Sequence, residues 1–375
     1  MKVCFFMYGL IPGGAERTVA YLANYAVNNG HKVDIVLYSD EPVFYELDEK
    51  VNIVRLGNHS PLATKNRNLF KKLIRYAKNY KYVSNAFKKY VDENKPDVVV
   101  SILFHSIIYT LKGCKNRVPI IASERSNPGW VKSSLLKGLR NFSFNKASGV
   151  IFQTERASQY FSKKINKKKI VIPNAVGNPI VDEVVYDENK TINKIGAVGS
   201  LREQKDYPTM IKAFSIFHKK HSDFVLEVYG EGIDRKALEK QIEELGLKEH
   251  ILLKGNDPQA LRRIVDAKCY LMTSICEGMP NSLMEAMAIG MPCVSTDCEC
   301  GPAELIENGK NGLLVPIRDP QAIADALCKI IEDRDFAIKC GNNAALLKQT
   351  NSVDIISKRY FDYFESVAKN FKKSK

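Results

Sequence analysis

Residues 269–297, CYLMTSICEGMPNSLMEAMAIGMPCVSTD, show in one stretch the alternation that decides the fold. The runs 269–274 and 292–297 are short and mostly apolar, which is typical of buried strands. Between them, residues 282–289 have the length and apolar spacing of a helix, and a glycine and a proline then end it. A strand, a helix and a strand in this order predict a parallel βαβ unit whose strands are covered on both faces.

The same alternation extends along the whole chain. Further apolar runs predict strands at 2–8, 32–38, 97–104, 119–123, 149–154, 169–176, 194–200, 224–230, 250–255 and 312–316. In the second half, helical patterns separate them at 207–221, 236–245, 258–268 and 303–308. The strand pattern lapses over 177–191, where acidic and polar residues gather. The sequence therefore predicts an α/β protein with two doubly wound domains, residues 1–176 and 177–350, followed by a C-terminal helix at 351–375.

The net charge of +14 is distributed unevenly over the 375 residues. Residues 1–180 have 29 Lys and Arg against 12 Asp and Glu, whereas residues 181–375 have 27 against 30. Residues 64–91 carry much of the excess, and residues 132–146 and 163–169 add more lysines. A basic half of this kind predicts an anionic partner, for which a membrane surface, a nucleic acid and an acidic polymer are the candidates.

Composition and spacing exclude several classes of protein. No apolar run reaches the roughly 18 residues that a membrane-spanning helix needs. Nine scattered cysteines predict reduced thiols and a cytoplasmic location. Cys293, Cys298 and Cys300 cluster, but a fourth ligand with zinc spacing is missing. Asp333 and Asp335 have the D-x-D form of a metal–diphosphate site but lie between predicted helices, so we interpret them as surface residues and expect no metal and no cofactor.

The turn that holds Glu277 and Glu285 is the most informative candidate site, because ligands of doubly wound sheets bind beyond the carboxyl ends of the strands. Backbone N–H groups of residues 279–283 lie at a predicted helix N-terminus, which favours a diphosphate. Two carboxylates around such a turn can reach the sugar and ribose hydroxyls of a nucleotide-sugar. A structural alternative stays open, since Ser282 and Glu285 also have the S-x-x-E spacing of a capping box.

Other turns offer candidates that are equally consistent with ordinary turn chemistry. Gly13 and Gly14 open the helix after the first strand, where backbone amides can approach an anion. In GSLREQK (199–205), Arg202 and Lys205 place two cations that suit phosphate oxygens after the first strand of the second domain. Polar or flexible residues at other strand ends complete the set: Gly230, Gly232, Gly255 and Asn256, and in the first domain His105, Glu124 and Arg125 as candidates for acceptor binding or proton handling.

Six motifs together give the chain a resemblance to glycosyltransferase family 4. They are GGAER (13–17), GSLREQK (199–205), YGEG (229–232), E277-x7-E285, EAMAIGMPCVST (285–296) and GPAELIENGKNGLLVP (301–316). The resemblance runs from about residue 1 to 335 and implies the GT-B fold, in which two Rossmann-like domains face each other across a cleft. The SERSNP segment (123–128) and the basic first domain are most similar to bacterial members that build capsule, lipopolysaccharide or glycan–lipid chains.

The resemblance implies roles for the matching residues. Arg202 and Lys205 correspond to the pair that neutralises the donor diphosphate, Glu277 to the contact with the donor-sugar hydroxyls and Glu285 to the contact with the ribose. Backbone amides from Pro280 to Leu283 would cradle the phosphate and sugar. The remaining donor-side positions are Gly13 and Gly14, which would close on the donor from the first domain, and Ser200, Gly230, Gly232, Gly255, Asn256, Gly278, Met279, Asn281 and Ser282.

The resemblance further implies a retaining, metal-independent reaction, in which two cations replace a divalent ion. One departure concerns the acceptor side. Many members have His near the end of the strand that corresponds to 119–123, whereas this chain has Glu124 and Arg125. Which group of the first domain assists the acceptor hydroxyl therefore stays open.

The sequence thus predicts a retaining glycosyltransferase that moves a hexose or N-acetylhexosamine from a UDP-linked sugar to a lipid-linked or polysaccharide acceptor of a bacterial surface glycan. A GT-B nucleotide-sugar epimerase is the alternative among enzymes. A basic nucleic-acid-binding protein is the alternative from another class, although the basic residues form no recognisable binding module. The basic first domain predicts peripheral association with the inner face of the cell membrane.

Overall fold

The computed structural model describes residues 1–57 and 69–373, and the side chains of residues 1–57 and 78–372. Part of the basic segment 64–91 therefore lies outside the described residues, including Lys65 and Arg67. The chain divides into two compact units, one formed by Met1–Gly177 with Val353–Lys375 and the other by Asn178–Ser352.

The first unit is built on a parallel sheet with the strand order β3-β2-β1-β4-β5-β6-β7. Its strands are β1 (Lys2–Met7), β2 (Lys32–Leu37), β3 (Asn52–Arg55), β4 (Val98–Ile102), β5 (Ile120–Ser123), β6 (Gly149–Phe152) and β7 (Lys169–Val171). Its helices before the second unit are α1 (Gly14–Asn28), α2 (Leu69–Asn94), α3 (Leu103–Cys114), α4 (Ser134–Lys146), α5 (Glu155–Ser158) and α6 (Lys163–Asn166). Every residue of β4, β5 and β6 is buried, which explains why these strands have continuous apolar sequences.

The second unit repeats this design, with the strand order β10-β9-β8-β11-β12-β13. Its strands are β8 (Ile192–Val198), β9 (Val225–Tyr229), β10 (Ile251–Gly255), β11 (Ala267–Met272), β12 (Cys293–Thr296) and β13 (Leu313–Val315). Its helices are α7 (Ile180–Glu183), α8 (Tyr207–His218), α9 (Arg235–Glu244), α10 (Ala260–Ile264), α11 (Asn281–Ala288), α12 (Pro302–Leu305), α13 (Pro320–Glu332), α14 (Arg334–Ala345) and α15 (Leu347–Thr350). All pairings in both sheets are parallel, as expected when helices connect successive strands.

The C-terminal helix α16 (Val353–Lys373) packs on the first unit. Ile356, Tyr360 and Phe364 recur at helical spacing and are buried in the core of that unit. The ring of Phe364 meets that of Phe5 in β1 edge-on, with 6.1 Å between centroids. The chain therefore returns to its first unit after completing the second.

The prediction of an α/β fold with two doubly wound domains is confirmed. The local differences are one missed strand and several element bounds, among them the strand predicted at 169–176, where β7 already ends at Val171. The edge strand β3 was missed because its four residues, NIVR, are too few and too exposed to show an apolar run. The strand predicted at 97–104 ends at Ile102, where α3 begins. The helix predicted at 258–268 is shorter, because β11 already starts at Ala267. Among the residues described, no helix combines the length and apolar character that a membrane span requires.

Candidate active site

The strand order of the second sheet reverses between β8 and β11, and the turns after these two strands lie side by side. Thr273, just after β11, donates its hydroxyl hydrogen bond to the carbonyl of Lys205 over 2.9 Å. The backbone N–H of Ile275 donates to the carbonyl of Gln204 over 3.0 Å. The GSLREQK turn and the turn that holds Glu277 are thus joined into one surface at the carboxyl edge of the sheet.

Lys205 and Glu277 form an ion pair across these turns. Lys205 Nζ lies 2.6 Å from Glu277 Oε1, and the two side chains are 18% and 8% exposed, respectively. Because a carboxylate this buried is costly without a partner, the pair fixes both groups in place. Arg202 precedes the short 3-10 helix Glu203–Lys205, is exposed, and makes no ion pair among the described residues.

Glu285 lies one turn further along, on α11. Its carboxylate accepts a hydrogen bond from Asn178 Nδ2 over 2.9 Å. Ser282 lies inside the helix and its hydroxyl accepts from Tyr270 over 2.8 Å, while the N-cap position is Pro280, whose side chain makes no capping bond. The capping-box alternative is therefore wrong: Glu285 is held by a residue from the start of the second unit.

The segment before α11 is packed against a glycine that follows β12. Gly301 has φ +91°, and a Cβ there would lie 2.7 Å from Pro280 Cδ and 2.9 Å from the Gly278 carbonyl oxygen. Only glycine fits both the left-handed backbone and this approach. Pro280 has no backbone N–H. Of the amide donors predicted over residues 280–283, only those of Asn281, Ser282 and Leu283 therefore exist. Met279, between them and Glu277, is buried.

The glycines of the YGEG motif hold the turns close to each other. A Cβ on Gly230 would lie 1.9 Å from the Gly199 carbonyl oxygen, and one on Gly232 would lie 2.0 Å from the Leu201 carbonyl oxygen. The N–H of Gly230 also donates to the Gly255 carbonyl over 2.7 Å. These contacts explain why the packing requires glycine at both positions of the motif. A direct contact of these glycines with a nucleotide-sugar donor stays a prediction. Ser200 and Asn256 are both exposed near these turns.

In the first unit, Gly13 and Gly14 mark the start of α1. The Gly13 N–H donates to the Tyr45 hydroxyl over 2.9 Å, and the same hydroxyl donates to the Gly13 carbonyl over 2.7 Å. The Glu16 carboxylate occupies the space where a Gly13 Cβ would be, with Oε2 2.2 Å from that position. Burial raises the pKa of this carboxyl. The sequence did not indicate the Tyr45 contact, which joins residues far apart in the chain.

The acceptor-side candidates Glu124 and His105 have different surroundings. Glu124 is buried after β5, and its Oε1 accepts from the Ser126 hydroxyl over 2.7 Å. Burial raises the pKa of Glu124, and the bonds from Ser126 oppose that rise. His105 is exposed and lies in the first turn of α3, not at a strand end, with its ring centroid 5.2 Å from that of Phe104. A role of either group toward an acceptor stays a prediction.

Arg125 is buried in a polar network that ties α16 to the first sheet. Its guanidinium donates to the Tyr360 hydroxyl (2.5 Å), to the Thr18 hydroxyl (2.5 Å) and to Asn174 Oδ1 (2.6 Å). These bonds give Arg125 a structural role that the sequence did not reveal, because Tyr360 is 235 residues away. An acceptor contact by Arg125 is not needed to explain its position.

We expect Arg125→Met to lower the free energy of unfolding by about 3 kcal/mol, since it removes three hydrogen bonds that a buried guanidinium makes to Tyr360, Thr18 and Asn174. Tyr360→Phe removes only one of the bonds and should cost about 1 kcal/mol. Urea denaturation followed by circular dichroism measures both values. Arg334→Met, at an arginine whose side chain is 60% exposed, is the control. A loss for Arg125→Met no larger than for this control would contradict the network's structural role.

The fold defined by these two units is that of the GT-B glycosyltransferases. The structure of HepE from Anabaena in complex with UDP and glucose aligns with a TM-score of 0.78, covering 98% of this chain and 100% of that chain, at 19% identity. At this level of identity the likeness establishes the architecture, two doubly wound α/β units. The chain therefore has the α/β two-domain GT-B fold.

Two family models identify the chain more closely. The model described as "Glycosyltransferase Family 4" matches residues 12–177, and the model described as "Glycosyl transferases group 1" matches residues 182–346. Together they cover most of both units, and the chain belongs to glycosyltransferase family 4. It is an enzyme of the hexosyltransferase type.

Two curated relatives from Campylobacter jejuni align with this chain over nearly their whole length. One is the "GalNAc-alpha-(1->4)-GalNAc-alpha-(1->3)-diNAcBac-PP-undecaprenol alpha-1,4-N-acetyl-D-galactosaminyltransferase", 27% identical over 355 residues, or 92% of each chain. The other is the "N-acetylgalactosamine-N,N'-diacetylbacillosaminyl-diphospho-undecaprenol 4-alpha-N-acetylgalactosaminyltransferase", 26% identical over 348 residues, 88% of this chain and 90% of that one. Relatives of this kind place the chain among glycosyltransferases of bacterial glycan biosynthesis.

Proposed function

We propose that the protein is a retaining glycosyltransferase that transfers a hexose or an N-acetylhexosamine from a UDP-sugar to a lipid-linked acceptor. The observation that carries this proposal is the Lys205–Glu277 ion pair, 2.6 Å between Nζ and Oε1, at the carboxyl edge of the second sheet. It places an ammonium and a carboxylate together beside the start of α11, where the helix dipole favours an anion.

In the proposed donor complex, the charges of the diphosphate and the hydroxyls of the sugar are bound by different groups. Lys205 has three N–H donors, of which Glu277 uses one, and the others face the diphosphate together with exposed Arg202. As the bond to the sugar breaks, negative charge grows on the UDP leaving group, and these cations stabilise it without a divalent ion. Glu277 accepts from the donor-sugar hydroxyls, and Glu285, held by Asn178, accepts from the ribose hydroxyls.

The names of the relatives support the choice of acceptor. Both act on undecaprenyl-diphosphate-linked glycans and both form α linkages. An acceptor with a polyprenyl chain is held in a membrane, and the basic first domain supplies charge that favours an anionic membrane surface. We therefore infer peripheral association with the cytoplasmic face of the membrane, with a polysaccharide as the alternative acceptor.

Donor binding is tested by thermal unfolding with and without UDP. At 100 times its dissociation constant a ligand adds about 2.7 kcal/mol to the stability of the folded state, so we expect UDP to raise the melting temperature by several degrees. Glu285→Gln should remove most of that shift, because a neutral amide holds ribose hydroxyls less strongly. Glu307→Gln, on an exposed turn, is the matched control and should keep the shift. Stabilisation by RNA but not by UDP would favour the nucleic-acid alternative.

The reaction itself is tested with a panel of UDP-sugars and a lipid-diphosphate-linked acceptor. A UDP-α-sugar should yield an α-linked product, which NMR coupling constants of the anomeric proton identify. EDTA should leave the rate unchanged, because the proposed cations are side chains. A β-linked product or strict dependence on a metal would contradict the mechanism, and isomerisation of the donor without an acceptor would favour the epimerase.

A further inference from the structure

Helix α4 of the first unit exposes apolar side chains to solvent. Of the fifteen large apolar side chains that are exposed among the described residues, five lie within residues 130–142. They are Trp130 (53% exposed), Leu135 (81%), Leu136 (44%), Leu139 (41%) and Phe142 (59%). Such a concentration on the surface of one unit marks an interaction site.

The exposed residues of α4 follow helical spacing. Leu135, Leu139 and Phe142 are related by four and seven positions, so they share one stripe along the helix, and Leu136 lies beside it. We call Leu135, Leu136, Leu139 and Phe142 the apolar stripe. An apolar stripe normally marks the side of a helix that faces the core, but this one faces solvent.

The opposite side of α4 is the one that anchors it. Arg140 is buried, donates to the Pro128 carbonyl over 2.8 Å and has its guanidinium carbon 4.5 Å from the ring centroid of Phe161. The ring of Phe144 lies 4.9 Å from the same ring. Since these contacts hold the helix on its unit, the apolar stripe is left available for a partner.

The charges around the stripe indicate what kind of partner fits. No Asp or Glu occurs between Glu124 and Glu155. Lys132, Lys137 and Lys146 are exposed along this segment and make no ion pairs among the described residues, and Lys146 Nζ lies 5.7 Å from the Phe142 ring centroid. Apolar side chains flanked by unpaired lysines match a bilayer with anionic headgroups, in which the apolar groups enter the acyl boundary and the lysines meet phosphates.

We propose that the apolar stripe and Trp130 insert into the interfacial layer of an anionic lipid bilayer and so dock the first unit on the membrane. This inference rests on the proposed function, since a lipid-linked acceptor must be reached at a membrane. The proposal adds a specific apolar contact to the attraction by basic charge. The residues that make this contact were not indicated by the charge distribution.

Trp130 is the single tryptophan of the chain and provides the readout. The unmodified 375-residue protein is titrated with vesicles of phosphatidylglycerol and phosphatidylethanolamine, and separately with vesicles of phosphatidylcholine. We expect the anionic vesicles to shift the tryptophan emission to the blue and to sediment the protein, and the phosphatidylcholine vesicles to do neither. Raising NaCl from 0.1 to 0.5 M should weaken binding several-fold, because salt screens the lysines. Unchanged emission with anionic vesicles would overturn the proposal.

The variant L135S/L139S/F142S separates the apolar contact from the charge. We expect it to lose about tenfold or more in partition to anionic vesicles. The matched control, V185S/I233S/L346S, changes three apolar residues of the second unit that are 78%, 87% and 54% exposed, and it should bind like the wild type. Equal partition of the first variant and the wild type would overturn the proposal. The proposal would also be overturned if the wild type were a dimer in the absence of lipid and this variant were a monomer. That result would assign the stripe to contact with a second copy of the chain.

Failure of this inference and failure of the proposed function are distinguishable. L135S/L139S/F142S should keep the UDP-induced rise in melting temperature, since the stripe lies on the first unit and the proposed nucleotide contacts on the second. Glu277→Gln should keep vesicle binding while losing transfer. Loss of vesicle binding in Glu277→Gln would contradict the assignment of docking to the stripe, whereas a missing UDP effect in all proteins would contradict the proposed function only.

Discussion

Lys205→Met is expected to reduce sugar transfer by about 1,000-fold or more. The substitution removes the ammonium that stabilises the leaving diphosphate, and a single preorganised group of this kind contributes about 10²–10³ in rate. It also leaves the Glu277 carboxylate, 8% exposed, without its partner at 2.6 Å, which further disturbs the site. Initial rates with a UDP-sugar and a lipid-diphosphate-linked acceptor measure the effect.

The double variant Lys205→Met/Glu277→Gln separates catalysis from folding. Lys205→Met alone should lower the free energy of unfolding by about 3 kcal/mol, because it strands a buried charge. Neutralising Glu277 in the same protein should restore most of that stability but none of the activity. Lys310→Met/Glu307→Gln, at an exposed pair 2.8 Å apart, is the control and should change neither quantity. Activity near the wild-type level in Lys205→Met would exclude Lys205 from the donor site.

Gly232→Ala is expected to lower transfer by about 100-fold or more and the free energy of unfolding by about 3 kcal/mol. A Cβ at this position would lie 2.0 Å from the carbonyl oxygen and 2.5 Å from the carbonyl carbon of Leu201. Backbone atoms cannot yield as the end of a flexible side chain does, so the turn 199–206 must move. That turn positions Arg202 and Lys205, and its displacement therefore reaches the site without changing any charged residue.

Gly138→Ala is the matched control for this prediction. Gly138 lies within α4, and a Cβ there would meet nothing within 4 Å. In an exposed helix interior alanine replaces glycine with a gain of about 0.5–1 kcal/mol, so this variant should be slightly more stable. Melting temperatures and UDP-induced shifts are measured for both proteins. If Gly232→Ala keeps the UDP shift and the rate, the close approach of the two turns is not required for donor binding.

At the second sheet, the sequence indicated the strands and the charged residues but not how those residues pair. Strands such as β11 and β12 could be predicted from the sequence because a parallel strand that is buried on both faces has a continuous run of apolar residues. Glu277 and Lys205 were singled out because each follows such a strand. Their pairing was not visible, since they are 72 residues apart and meet only when β8 and β11 become neighbours.

Glu285 and Arg125 have partners that their local sequence does not indicate. The S-x-x-E spacing left a capping box open as an alternative, but the helix starts at Asn281, which places Ser282 inside it. The partner that holds Glu285 is Asn178, 107 residues earlier, and no local signal marks it. Arg125 was a candidate for the acceptor because it follows a strand, yet its guanidinium is enclosed by groups from three distant segments.

The α/β class, the alternation in both units and the residue types of the proposed donor site can be predicted from the amino-acid sequence. These properties are local: burial on two faces, turn chemistry and the identity of a charged side chain are each contained in a few consecutive residues. Three other properties depend on contacts between distant segments: the pairing of Lys205 with Glu277, the need for Gly232 to lack a Cβ, and the exposure of the α4 stripe to solvent. An apolar stripe in the sequence indicates that one face of a helix is suited to apolar contacts. Whether that face packs against the core or stays available to a partner depends on which segments the fold places beside it.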